Sequence, residues 1–336
     1  MENKPGRSEI NMADGILALD FGGTKLAAAV VDLAAEKIVG PVVSKHTPVS
    51  EGAKGTLNTM IQCGREALAA FNRPELVKAV GISFGGPVSE DRCSVLRSNH
   101  VADWNGAPLV ADISHAFHLP ARMDNDGNLA ALGEWWFGGY RSLENMAYVQ
   151  ISTGVGGGLI LDRQLYRGSG LAGEFGHYIV EVNGPQCSCG RKGCLESVCS
   201  GWAIARDGRS ALALGSANCP VLSQLSQNQA ETVTAEMVFE ACRKGDPACE
   251  TIVKNALNSL AIMVVNLITC IDPHVIVLGG GLTRSRDIFE IYFLPVVKEQ
   301  MHPFFKGRCR VELSTLDGNE LLLGAALLTQ EKASGK

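Results

Sequence analysis

Short apolar runs that end on glycine recur along the chain. Residues 16–20 form one, closing at Gly22-Gly23, and residues 26–31 resume the apolar pattern. Two such runs around a glycine pair predict a hairpin with a glycine-built turn. The pattern returns at residues 147–152, with a glycine-rich turn over 153–158 and a resumption at 159–161. A second pair of predicted strands, 77–84 and 274–278, runs into Gly85-Gly86-Pro87 and Gly279-Gly280-Gly281. Glycine hairpin followed by glycine-ended strand thus occurs twice, a weak internal duplication of pattern rather than of identity.

Between these strands the apolar spacing becomes helical. Residues 51–71, 129–137 and 320–330 predict helices, and 238–270 predicts two, separated at Gly245-Asp246-Pro247. Residues 206–232, rich in Ser, Asn and Gln, read as an exposed insertion. The longest greasy stretch, 260–271, contains Asn266, reads as too short to span a bilayer and fits a buried helix. Strands alternating with helices predict an α/β protein of two similar lobes with an interlobe cleft for ligands.

Composition narrows the function. The 336 residues suffice for two lobes, and the 46% hydrophobic and 19% charged content is that of a globular chain. A net charge of −5 offers no basic field for nucleic acid or an anionic membrane. Backbone amides can still bind a small anion such as a nucleotide phosphate. The first fourteen residues are polar and lack a signal core, and the eleven cysteines are odd in number. Reduced thiols in a cytoplasmic protein fit both facts.

The hairpin turns are candidate phosphate cradles. In the first, Gly22 and Gly23 let backbone amides approach a phosphate, Thr24 and Lys25 add a hydroxyl and a cation, and Asp20 is placed to hold Mg²⁺. The plainer alternative is an ordinary tight hairpin with a solvated lysine. In the second, Thr153, Gly154, Gly156 and Gly157 are the candidates. It is not a Walker loop, because no GK[ST] follows, nor a Rossmann fingerprint, because a strand follows it. Two such hairpins facing each other would clamp a triphosphate, with Gly280 and Gly281 admitting the adenosine.

Asp124-Asn125-Asp126-Gly127-Asn128 precedes a predicted helix. Asp124 or Asn128 is readily explained as a helix cap. Asp126 is assigned as the base that takes a hydroxyl proton during phosphoryl transfer, and Asn125 as an amide that orients the hydroxyl. His177 with Cys187, Cys189 and Cys194 makes a closed tetrahedral set for structural zinc. Glu174 and Glu196 flank that unit and suit paired hydrogen bonds to sugar hydroxyls, although either alone also fits a solvated surface position. The other eight cysteines show no metal spacing.

Together these residues resemble the ROK family of sugar kinases. The resemblance runs from about Gly15 to Leu328 and rests on Asp20 to Lys25, Asn125-Asp126, Thr153 to Gly158, Gly173-Glu174-Phe175-Gly176-His177 and the Cys187, Cys189, Cys194, Glu196 block. It implies an actin-like ATPase (ribonuclease H-like) fold, use of ATP and Mg²⁺, and a homodimer or homotetramer. It implies Asp126 as catalytic base, a sugar site of Gly86, Asn99, Asn125, Asp126, Glu174, His177 and Glu196, and zinc on His177 and the three cysteines. The expected N-terminal lobe is 15–122, with 320–336 packing back on it. The expected C-terminal lobe is 123–319, with a zinc loop at 177–194. Residues 81–88 and 98–104 resemble the family's bacterial glucokinases. Gly127, where those usually carry Ala, resembles its N-acetylmannosamine kinases. The family's repressors carry a helix-turn-helix before the first strand. Only fourteen residues precede Gly15 here, without helical period, so a repressor is not expected.

Overall fold

The computed structural model describes residues 15–98 and 101–331. The described residues up to Phe137, Arg167–Leu171 and those from Asn319 onward form one compact unit. Gly138–Tyr166 and Ala172–Gly318 form a second.

Unit 1 is built on β1 (Gly15–Phe21), β2 (Lys25–Asp32), β3 (Lys37–His46), β4 (Val77–Phe84) and β5 (Ala121–Asn125), in sheet order β3-β2-β1-β4-β5. The first three strands form an antiparallel meander, and β4 and β5 run parallel to β1. Leu17, Leu19, Val80 and Ile82 are buried in the sheet. The helix α1 (Gly52–Phe71) presents a stripe of Thr56, Met60, Cys63 and Ala67, the helical spacing of a face that packs on a sheet. Three further helices complete the unit: α2 (Leu109–Phe117), α3 (Asp126–Phe137) and, from the far end of the chain, α11 (Glu320–Leu328). α11 packs on α3, β4 and β1.

The register aligns the carboxyl ends of the parallel strands. Asp20 pairs with Ser83, which pairs with Asp124; Phe21 pairs with Phe84, which pairs with Asn125. Polar residues from three strands therefore reach one edge, where open α/β sheets bind their ligands.

Unit 2 repeats this plan. Its strands are β6 (Met146–Ile151), β7 (Val155–Leu161), β8 (Gln164–Tyr166), β9 (Val275–Gly279) and β10 (Arg310–Leu313), ordered β10-β9-β6-β7-β8. β6 to β8 are antiparallel, and β9 and β10 run parallel to β6. The duplication of pattern in the sequence is thus a duplication of sheet topology. The helices are α4 (Glu196–Cys199), α5 (Gly201–Ala213), α6 (Pro220–Leu225), α7 (Ala235–Arg243), α8 (Pro247–Ile271), α9 (Arg286–Tyr292) and α10 (Leu294–Gln300).

Several expectations are corrected. The boundary at 122/123 falls inside β5; unit 1 continues through Phe137, because β5 pairs with β4 and α3 packs on α11. The turn expected over 153–158 is shorter, since β7 begins at Val155 and its glycines are strand residues. Residues 206–232 are not an exposed insertion: they belong largely to α5 and α6, and Leu212, Cys219 and Leu222 enter the core. The apolar stretch 260–271 is the last part of a 25-residue helix, α8, long and apolar enough by composition to cross a membrane. Its Val253, Leu257, Leu260 and Val264 are packed in the core of unit 2.

Asp246 joins two of these helices. It is fully buried, caps α8 by accepting from the Cys249 N–H at 3.2 Å, and accepts from the Val221 and Leu222 N–H groups of α6 at 3.0 and 3.1 Å. Each cap contributes ~1 kcal/mol, so Asp246→Ala is expected to destabilise the protein by about 2–3 kcal/mol, read as a lower midpoint in urea. An unchanged midpoint would contradict the double cap.

Candidate active site

In unit 1 the chain turns between β1 and β2 through Gly22-Gly23-Thr24. The turn is closed by the Gly22 N–H on the Lys25 carbonyl at 3.1 Å. Buried Thr47 pins it from behind: its N–H donates to the Thr24 carbonyl at 3.1 Å and its hydroxyl to the Gly22 carbonyl at 2.7 Å. A Cβ on Gly22 would lie 2.6 Å from the Lys25 carbonyl oxygen, so only glycine closes this turn. Trp104 packs edge-on against Phe21 and Phe84 beneath it. Thr24 and Lys25 are exposed.

Asp126 opens α3 beside this turn. Its Oδ1 accepts from the Gly127 N–H at 2.8 Å. Gly85 measures its position: a Cβ on Gly85 would lie 3.1 Å from the Phe21 carbonyl oxygen, 3.7 Å from the Gly22 Cα and 3.8 Å from the Asp126 Oδ2. Asn125 is engaged at both ends of its amide. Its oxygen accepts from the Gly127 and Asn128 N–H groups, capping α3, and its nitrogen donates to the Gly86 carbonyl at 3.1 Å. Asn99 lies outside the described residues.

Asp20 accepts from the Ser83 hydroxyl at 2.8 Å. Burial pushes its pKa from 3.8 to about 7; Ser83 opposes this, Asp126 and Glu320 add to it, and Lys25 opposes it. A carboxylate raised in this way stabilises the fold fully below its unfolded pKa and loses that contribution as pH rises through about 7. Asp20→Asn is therefore expected to raise the melting temperature of the nucleotide-free protein at pH 8 by several degrees, and hardly at all at pH 4.5. A gap that fails to widen with pH would contradict this.

In unit 2 the corresponding turn is Ser152-Thr153-Gly154, closed by the Ser152 N–H on the Gly154 carbonyl at 2.9 Å. The Gly201 N–H donates to the Ser152 carbonyl at 2.8 Å, docking the start of α5 on the turn. Gly156 faces open space, whereas a Cβ on Gly157 would stand 2.2 Å from the Tyr148 carbonyl oxygen and 2.5 Å from the Phe175 ring. Gly157 is thus demanded by packing of β7. A cavity of about 260 Å³ adjoins the turn, lined by residues that include Thr153, Trp202, Ala205, Thr234, Glu236 and Gly281. The Arg206 guanidinium lies over the Trp202 ring, 5.3 Å from its centroid.

Glu196 lies against the same turn, its Oε2 accepting from the Val155 N–H at 3.1 Å and its Oε1 from the Ser188 hydroxyl at 3.4 Å. Glu174 Oε2 stands 3.8 Å from His177 Nε2. Partial burial raises the Glu174 pKa, His177 opposes this, and Glu196 adds to it. The other nitrogen of His177, Nδ1, stands 3.8 Å from Cys187 Sγ, and Cys189 Sγ stands 3.6 Å from Cys194 Sγ. All four donor atoms fall within 4.8 Å of one another. A tetrahedral zinc with bonds of about 2.3 Å to sulfur requires sulfur spacings of about 3.8 Å. The donor set and its spacing fit that ion. The remaining cysteines are free thiols, buried except for Cys93 and Cys270.

The ROK family model matches residues 16–332. The chain belongs to the ROK family. Among relatives, it is 29% identical to a glucokinase of Thermotoga maritima, covering 95% of this chain and 98% of that one. It is 31% identical to an N-acetylmannosamine kinase of Vibrio cholerae, covering 82% and 86%. A putative xylose repressor of Caldicellulosiruptor also matches at 25% identity, over 97% of this chain and 80% of that one. Among solved structures, a ROK family glucokinase from Streptomyces griseus in complex with glucose and AMPPNP aligns with a TM-score of 0.79 at 30% identity, covering 94% and 98%. The two mixed sheets of this ROK protein are those of the expected actin-like ATPase fold.

The ROK chain gathers Asp20, Gly22, Gly85 and Asp126 in unit 1, and Gly154, Glu174, His177, Glu196 and the three cysteines in unit 2. Thr47, Trp202, Thr234 and Glu236 are not apparent from the sequence. Thr47 carries no motif, and Trp202 is marked only by the Ser200 cap before it, which accepts from the Ala203 N–H at 3.2 Å.

Proposed function

We propose that this protein is an ATP-dependent sugar kinase that transfers the γ-phosphoryl group to the 6-hydroxyl of a glucose-like hexose. The observation that carries the proposal is the Asp126 carboxylate at the start of α3, beside the Gly22 turn. In this role Asp126 takes the proton of the attacking hydroxyl as its bond to phosphorus forms. Amides of the Gly22 and Gly154 turns, with Thr24, Lys25 and Thr153, stabilise charge on the phosphates. The cavity beside Trp202 and Gly281 takes the adenosine, with Gly280 at its edge. Glu174, His177 and Glu196 hold the sugar hydroxyls, together with Gly86, Asn99 and Asn125.

Asp20 is assigned to Mg²⁺, which when bound neutralises phosphate charge; a carboxylate crowded by Asp126 and Glu320 is one that a cation relieves. His177, Cys187, Cys189 and Cys194 are assigned to a structural Zn²⁺ that fixes the segment bearing Glu174 and Glu196. The protein is assigned to the cytoplasm, where its eleven cysteines stay reduced, as a homodimer or homotetramer, with no nucleic-acid or membrane partner.

The N-acetylmannosamine kinase relative and the Gly127 pattern favour a second sugar, N-acetylmannosamine. Coupled ADP release over glucose, mannose, fructose, allose, N-acetylmannosamine and N-acetylglucosamine decides between them. The highest kcat/KM is expected on glucose. Preference for another sugar moves the substrate alone, whereas no sugar-stimulated release, with operator binding in a gel shift, would replace the kinase by a repressor.

A further inference from the structure

Asp124 has no role in the chemistry above, yet both of its carboxylate oxygens are engaged. It is 1% exposed. Its Oδ1 accepts from the Asn125 N–H at 2.8 Å and from the Asn128 side-chain amide at 2.9 Å. These partners lie on either side of Asp126 in sequence, so one carboxylate clamps the strand-to-helix junction that presents the base. Its Oδ2 accepts from Arg167 Nε at 2.6 Å.

A carboxylate this deeply buried holds its charge only against a counter-charge. Arg167 supplies it from outside the motif. The chain leaves unit 2 at Tyr166, contributes Arg167–Leu171 to unit 1, and returns at Ala172. The far end of the guanidinium, Nη2, donates to both carboxylate oxygens of Glu331 at 2.9 Å. Arg122 holds the same residue by its backbone, donating to the Glu331 carbonyl. Arg167 therefore sits where the β5–α3 junction, the 167–171 segment and the residues after α11 meet. Its planar fork aims separate N–H donors at two carboxylates in a fixed geometry that an ammonium lacks.

We infer that Arg167 is a positioning residue for the base, acting through Asp124 to fix the junction on which Asp126 stands. This rests on the kinase proposal. Loss of the guanidinium leaves the Asp124 carboxylate buried without its counter-charge, and the junction relaxes. Small misplacements of a reacting group cost about 10²-fold in rate.

The test compares steady-state kinetics of Arg167→Ala, Arg167→Lys, Asp124→Asn, the Arg167→Ala/Asp124→Asn double variant and Glu331→Gln, with melting curves as a check on folding. Arg167→Ala is expected to lower kcat by about 10²-fold while KM for ATP and for sugar moves by less than about threefold. Arg167→Lys restores about tenfold of that loss. Asp124→Asn falls as far as Arg167→Ala, and the double variant no further than either single, as for two residues acting as one unit. Glu331→Gln stays within about threefold of wild type, because the effect runs through Asp124 and not through the chain end. Wild-type kcat in folded Arg167→Ala, losses that multiply in the double variant, or a Glu331→Gln loss equal to that of Arg167→Ala would each overturn the inference. If Arg167→Ala does not fold, Arg167→Lys and Asp124→Asn carry the same comparison. A wild-type protein that phosphorylates no sugar removes the kinase proposal and this inference together; an active wild type beside an unaffected Arg167→Ala removes the inference alone.

Discussion

Asp126→Asn is expected to lower kcat on the order of 10²–10⁴-fold, with sugar KM within a few-fold of wild type. The substitution is nearly isosteric. An asparagine oxygen can still accept from the Gly127 N–H, now 2.8 Å from Oδ1, so α3 keeps its start. What disappears is the capacity to take a proton. The loss therefore belongs to the transition state, and a calorimetric titration with sugar should show binding retained. Wild-type turnover would remove Asp126 from its role. Loss of sugar binding with turnover to match would make it a binding residue instead.

The second large effect concerns the Cys/His cluster. Wild-type protein is expected to carry about one zinc per chain, and Cys194→Ser to lose most of it. Cys194 is fully buried, and burial together with the adjoining Cys189 and Cys187 sulfurs pushes its pKa up to about 12. Without a cation the Cys194 thiol keeps its proton; with one it becomes a ligand and the cluster a brace. Ile179 and Cys194 form a bridge across the base of this loop, and Glu174 and Glu196 lie just outside it. Loosening the brace should displace both glutamates, raising sugar KM by about 10–100-fold while ATP KM moves little. Metal analysis of chelator-washed protein and paired titrations of the two substrates read this. Unchanged metal content or unchanged sugar KM in Cys194→Ser would contradict it.

The sequence discloses those elements whose residues face one environment. β1, β2, β4, β6 and β9 are runs of buried apolar residues and stand out as such. The break between α7 and α8 is equally plain, because Gly245-Asp246-Pro247 ends one helix and caps the next. β3 is hidden because it is an edge strand, largely exposed and interrupted by Gly40 and Pro41. β5 is hidden for the opposite reason: its last residues, Asp124 and Asn125, are polar and accept from the backbone N–H groups of the junction with α3, and a polar cluster before a helix looks like a cap. The same residues show how functional and structural roles overlap. Asn125 caps α3 as well as being assigned to the sugar in the proposed function, and Gly157 answers to Tyr148 and Phe175 in the packing of β7. The Cys/His set was legible because its four members are close in sequence. Arg167 was not, because its partners Asp124 and Glu331 are brought to it only by the fold.

The most direct test of the central claim is ³¹P NMR of the wild-type protein incubated with ATP, Mg²⁺ and glucose. The account predicts stoichiometric conversion of ATP to ADP and a new phosphomonoester coupled to the C6 protons, absent without sugar and formed about 10²-fold or more slowly with Asp126→Asn. Inorganic phosphate released without any sugar ester, across the whole panel of hexoses, would contradict it.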